Sequence, residues 1–172
     1  MQTRRVNDEV YVADEPIVKV TRRDVDWLKG LAADTRRRRV RLCAHKSTQD
    51  ALHEMLIVLD GATYVRPHRH RGKSESFHVV EGAVSVVVFD DAGTVREVVR
   101  LGEYASGRQF YYRLAEPAYH TVLIESASAV IHETTNGPFD RSETDFAPWS
   151  PPEEDAEAGR CYLRELAEAL PA

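Results

Sequence analysis

The sequence predicts an all-β domain, a sandwich or barrel of short strands, with a mixed α/β extension before it and a helix after it. Three observations predict this. Between residues 52 and 134, β-branched and aromatic runs recur every few residues, broken by Gly, Pro and Asp turns. No helical periodicity interrupts those runs. Seven short strands without intervening helices close into a sandwich or barrel.

In chain order, residues 1–50 read as an N-terminal extension packing on the barrel. Pro16-Ile17-Val18-Lys19-Val20 predicts a short strand. Thr21 followed by Asp24, then Val25, Leu28 and Leu31, predicts a capped short helix ending near Gly30 or Ala33. Arg39 to Ala44 predicts another strand. Residues 51–135 form the barrel core, with strands near 52–59, 76–80, 83–89, 94–100, 109–114, 120–125 and 128–134. Asp90-Asp91-Ala92-Gly93 is a hairpin turn and Glu81-Gly82 a tight corner. Residues 136–172 are a wrapping tail and closing helix. Pro138, Pro148, Pro151 and Pro152 keep the tail from pairing as a central strand. Tyr162, Leu163, Leu166 and Leu170 recur at helical spacing from Arg160 to Leu170. At 172 residues this is one structural domain.

Composition excludes some function classes. The net charge of −5 argues against a nucleic-acid or anionic-membrane partner. The run Arg36-Arg37-Arg38-Arg39 cuts against that locally, but such a run reads first as a solvated face. Cys43 and Cys161 are far apart, in no CxxC pattern, and fit two unpaired thiols in a reducing compartment. The charged start, Met1 to Asp8, lacks an apolar segment behind it, and no apolar stretch approaches membrane-span length. The expectation is a soluble cytoplasmic protein. No GxSxG, phosphate loop or dinucleotide fingerprint supports hydrolase-triad or nucleotide chemistry.

The chemistry-bearing pattern is His68-Arg69-His70, then Glu75, then His120 fifty residues on. His-x-His puts two imidazoles on one face of a strand, because side chains alternate with period two. Glu75, Phe77 and Val79 share a face of the next strand, and His120, Val122 and Ile124 one of a late strand. Three imidazoles and a carboxylate suit a divalent transition ion. Spacing alone leaves open a second reading, surface histidines in the basic loop Arg66-Pro67-His68-Arg69-His70-Arg71.

Gly61-x6-His68-x-His70-x4-Glu75-x6-Gly82 resembles the first cupin motif, with one extra residue between the first glycine and the first histidine. Pro117-Ala118-Tyr119-His120 resembles the second, although Tyr119 replaces the usual glycine and Ile124 the late asparagine. Further stretches follow in the order of the WbuC-type cupin fold metalloproteins: Tyr64 to His70, Phe89 to Gly93, His120-Thr121-Val122, Gly137 to Asp140 and Phe146 to Glu153. This likeness covers roughly residues 40–155. It implies a single cupin jelly-roll barrel holding one divalent ion (Fe, Mn, Zn, Ni or Co) on His68, His70, Glu75 and His120. It also implies an association with bacterial surface-polysaccharide (O-antigen) biosynthesis and, by analogy, a homodimer.

Around that site the candidate pocket residues are Tyr64, Arg66, Tyr112, His45 and His132, with Tyr119 a candidate proton carrier beside His120. Arg66, Arg69 and Arg71 are candidate anion contacts, and His78 faces away from Glu75. The expected ligand is a sugar, nucleotide-sugar or small polar acid, turned over by metal-assisted isomerisation, epimerisation or hydrolysis. Alternatives are an Fe(II)-dependent oxygenase, a non-catalytic ligand-binding or regulatory cupin, or a closed structural metal site.

Overall fold

In the computed structural model the described residues are 1–171, so the last residue of the predicted tail, Ala172, lies outside them. Two sheets face each other. The first runs in the order β1 (Thr3–Arg5), β2 (Val10–Ala13), β3 (Arg39–Cys43), β4 (Leu52–Asp60), β11 (Ser128–Asn136), β6 (Glu75–Glu81) and β9 (Tyr111–Leu114). The second runs β12 (Thr144–Phe146), β5 (His68–His70), β10 (Tyr119–Ile124), β7 (Ala83–Phe89) and β8 (Val95–Gly102). All pairs are antiparallel except β2 with β3.

Between the sheets lies the main core, where Met55, Ile57, Phe77, Val79, Val86 and Ile131 meet. Both outer faces are partly covered. Helix α1 (Arg22–Asp34) buries Val25, Leu28 and Ala32 against Val40, Val58 and Val130 of the first sheet. Helix α2 (Ala156–Ala169) brings Leu163 and Leu166 over Val87, Phe89 and Leu123 of the second. Covered on both faces, β7 reads VSVVVF with scarcely a polar position, as doubly buried strands do.

Thr21 caps α1 as its sequence predicts, with its amide donating to Asp24 Oδ2 at 2.8 Å. The helix runs past Gly30, whose cost of about 1 kcal/mol is outweighed by burial of Leu28 and Ala32 on either side. The strand predicted at Pro16–Val20 does not form. Ile17 is 69% exposed, and the hairpin of β1 and β2, whose Tyr11, Val12 and Ala13 are buried, takes its place in the sheet. Gly82 occupies the tight corner between β6 and β7 at φ +83°, a conformation open to glycine.

The arginine run is not simply a solvated face. Arg37 and Arg39 both pair with Glu153 of the tail, at 2.8 and 2.5 Å, and Arg37 also holds Glu9. Arg38 pairs with Asp60 at 3.0 Å. The run ties the N-terminal strands to the C-terminal tail. Cys43 is buried and Cys161 part-buried, and both are free thiols. No helix among the described residues is long and apolar enough to cross a membrane.

Candidate metal centre

Strand alternation puts His68 and His70 on the inward face of β5, and His68 lies directly across the ladder from His120 of β10. Glu75 opens β6 on the facing sheet. The donor nitrogens of His68, His70 and His120 lie within 4.8 Å of one another. Glu75 closes the group, with Oε1 2.9 Å from His120 Nε2 and Oε2 3.7 Å from His70 Nε2.

The other side of each imidazole is fixed. His68 Nδ1 donates to the Arg66 carbonyl at 2.8 Å, and His120 Nδ1 to the Ala118 carbonyl at 3.0 Å. A carbonyl can only accept, so each Nδ1 carries hydrogen. In the neutral ring this leaves the Nε2 lone pair facing the centre. His70 Nδ1 lies 3.1 Å from Thr144 Oγ1. Such anchoring of the far ring nitrogen is what metal-holding histidines receive from their surroundings.

Burial makes the arrangement costly without a cation. The side chains of His120 and Glu75 are 2% and 5% exposed, while His70 at 25% marks the open side. Glu75 Oε1 and His120 Nε2 are close, yet neither has a hydrogen bond of good geometry. Unsatisfied buried donor atoms converging from two sheets fit a divalent ion of the N₃O type.

The electrostatics agree. Burial pushes the His68 imidazole down to about 3, helped by the neighbouring His120 and His70. Burial also lowers His70. Burial would lower His120 as well, but the Glu75 carboxylate outweighs it and raises the group. Burial alone would raise Glu75; the three imidazoles reverse this and hold it below the usual carboxylate range.

A pH dependence follows for the metal-free protein. Below about 6.5 the unfolded chain takes up protons that buried His68 and His70 refuse, so stability falls as pH drops from there toward 3. Glu75 adds in the same direction, its stabilisation being lost as pH falls below the unfolded carboxylate value of 4.5. His120 opposes, contributing stability that is present below 6.5, and so does Glu133 of β11, whose carboxyl burial and the Glu75 charge raise to about 7, adding stability as pH falls from there to 4.5. Below 4.5 the opposing groups are level while His68 and Glu75 still lose, so the urea midpoint of metal-free protein is expected to drop between pH 4.5 and 3; a flat or rising profile there contradicts the assignment.

Several predicted site residues lie elsewhere. Tyr119 points to the outer face of its sheet, opposite His120, where its ring meets Trp149 at 5.9 Å and the Arg69 guanidinium at 4.6 Å. The proton-carrier expectation for it is corrected by strand alternation. His132 also faces outward, 41% exposed and 3.9 Å from Glu54, so it is not in the pocket. Tyr64 is buried against α2 and donates to the Pro151 carbonyl at 2.8 Å. It packs on Gly159, where an added Cβ would lie 2.3 Å from the ring. Arg66 is used by the tail, reaching Ser150 Oγ and the Ala147 carbonyl, both at 3.2 Å. Arg69 and Arg71 are paired with Asp145. His45, beyond the end of β3, stacks at 4.0 Å on buried His53, which stands in the same rank of the first sheet as Glu75. His78 is exposed on the outer face.

Tyr112 is the pocket candidate that the structure does bring inside the barrel. Its hydroxyl is buried and has no hydrogen-bond partner. In the same rank, with Phe77 between them, lies a residue that sequence reasoning missed, Glu133. Across the first sheet Tyr112, Phe77, Glu133, Met55 and Cys43 stand directly opposite one another in one inward-facing rank. The next rank holds Glu75, Thr135 and His53. Burial raises the Glu133 carboxyl, and the nearby Glu75 charge raises it further. Its signal in the sequence was parity: Ala129, Ile131 and Glu133 share a face, but Val130 between them is buried too.

A profile described as a domain of unknown function (DUF6016) matches residues 20–101. No sequence match to a curated protein was found. A solved protein from Shewanella oneidensis superposes with a TM-score of 0.54 at 10% identity, over 77% of this chain and 85% of that one. The L-ribose isomerase of Cellulomonas parahominis, solved with L-psicose, gives 0.52 at 17% identity, over 71% and 72%. The cupin domain of Schizosaccharomyces pombe Cnp3 gives 0.45 at 10% identity, over 57% and 64%. At these identities the likeness is one of fold. The chain is a jelly-roll barrel of the cupin fold, closed by a C-terminal helix, with a histidine triad inside it that could hold a metal ion.

Proposed function

We propose that the protein binds one divalent transition ion on His68, His70, Glu75 and His120 and acts on a small polar molecule at its open side. The observation that carries this is the convergence of three anchored imidazoles on a buried carboxylate whose Oε1 has no hydrogen bond. When bound, such an ion supplies Lewis-acid polarisation of a ligand oxygen. The chain's own residues do the rest. Arg66 and Ala118 carbonyls and the Thr144 hydroxyl orient the donors, and the apolar core behind Phe77 and Val79 excludes bulk water. Polar groups inside the barrel, the Tyr112 hydroxyl and Glu133, favour chemistry over passive binding.

The ligand class is a sugar, nucleotide-sugar or small polar acid, and the reaction isomerisation, epimerisation or hydrolysis. The isomerase named among the structural neighbours supports a sugar, and the order of motifs shared with WbuC-type proteins supports bacterial surface-polysaccharide metabolism. The protein works in the cytoplasm as a homodimer.

Elemental analysis of protein purified without added metal is expected to give about one transition ion per chain, and His70→Ala to lose it. Absence of metal from the wild type, or full retention by the variant, sinks the proposal. Light scattering on the same preparation should give twice the chain mass of 19.5 kDa, and a monomer removes the dimer.

A further inference from the structure

Glu133 faces the barrel interior from the rank adjoining Glu75 and stands diagonal to it across the β11–β6 ladder. Diagonal neighbours of this kind lie about 7–8 Å apart at Cα, within joint reach of long side chains. Its inward-facing neighbours Phe77, Ile131 and Met55 are closed to solvent, yet Glu133 itself keeps partial exposure. Water therefore reaches the Glu133 side of this inward rank. The carboxylate has no cation within ion-pair distance among the described residues. Arg41, the inward cation nearest it along the sheet, lies against Met55 Sδ at 3.9 Å instead. Its neighbour in the rank two strands away, Tyr112, offers a buried hydroxyl that is likewise unpartnered.

An unpaired carboxylate and an unpaired phenol therefore share one inward rank, beside the carboxylate that completes the metal-ligand set. Neither is needed to hold an ion, since three imidazoles and Glu75 already converge. Both are suited to a ligand that presents hydroxyl and C–H hydrogens to the sheet while its oxygens face the imidazoles.

We infer that Glu133 is the acid–base residue of this site, assisted by Tyr112, and that its substrate is a small hydroxy-carbonyl compound of the aldose or ketose kind. The inference rests on the metal reading above. In the step it assigns, the C–H bond next to the carbonyl breaks and its proton passes to the Glu133 carboxylate. The electron pair moves toward the carbonyl oxygen. Glu133 then returns the proton to the adjacent carbon as a hydroxyl proton moves between the two ligand oxygens, with Tyr112 as hydrogen-bond partner. Substrate and product are isomers, so no oxidant, reductant or second substrate is required.

The test uses cobalt-loaded full-length protein in D₂O, with dihydroxyacetone and glyceraldehyde as probes and proton NMR as the readout of C–H exchange. Wild type is expected to exchange the probe hydrogens faster than buffer, and Glu133→Gln to slow this by at least about 100-fold. Tyr112→Phe should slow it less. Glu133→Gln should keep its cobalt, measured by elemental analysis, and the change in its visible cobalt spectrum when probe is added. Exchange that is undiminished in Glu133→Gln, or absent from metal-loaded wild type, overturns the inference alone. Loss of cobalt or of the spectral response in Glu133→Gln assigns the residue a structural role and also overturns it. A wild type that holds no metal overturns it together with the reading beneath it.

Discussion

Glu75→Gln is expected to weaken metal binding at pH 7 by at least about 100-fold, read by competition against a chromophoric chelator. Removing even a group that only orients a ligand costs 10- to 100-fold in affinity as a rough range, and Glu75 supplies a donor atom and the site's negative charge. The glutamine oxygen is nearly isosteric but neutral, so a divalent ion would sit among uncharged donors beside a side chain that is 5% exposed. The same change removes the charge that raises His120 and leaves burial to lower that imidazole in the metal-free variant. A shift in affinity below about tenfold would exclude Glu75 from the coordination sphere.

Phe89→Ala should cost about 3–5 kcal/mol of folding stability, measured by urea unfolding of metal-free protein. Phe89 is fully buried at the end of β7 and meets Trp149 at 5.0 Å. It joins the outer face of the second sheet to the tail and, through Leu163 and Leu166, to α2. Alanine there leaves a cavity walled by a strand on one side and a helix on the other, neither free to collapse. The imidazoles lie on the opposite face of that sheet, so metal stoichiometry of the folded variant should be unchanged. A loss under about 1 kcal/mol would mean that α2 is not anchored as described.

The same two-sided burial decided what the sequence could reveal. The strands from Leu52 to Thr134 were legible because turn residues bound them, and the three histidines with Glu75 because their spacing matches strand alternation. Which face a residue takes was legible only where one face is wet. On β6 exposed His78 and Val80 alternate with buried Phe77 and Val79, and its inward side was read correctly. The strand expected at 120–125 left Tyr119 in the preceding turn, whereas β10 opens at Tyr119 and alternation turns it away from His120. On β11 Val130 packs under α1 while Ile131 packs in the barrel, which hid Glu133 and promoted His132. The strands β1, β2 and β12 are three or four residues long, too short for periodicity to speak.

The short strand β12 sets the order of events during synthesis. All four proposed ligands have been made by residue 120, but β5, which carries two of them, shares only the His120–His68 pair with β10. Its other edge waits for Thr144, Asp145 and Phe146, and Arg66 and Pro67 wait for Ala147 and Ser150. Thr144 also brings the hydroxyl that holds His70. A nascent chain stopped before residue 144 carries every proposed donor atom and lacks the strand that fastens two of them, so an ion held on these residues would be captured at the close of folding rather than nucleate it.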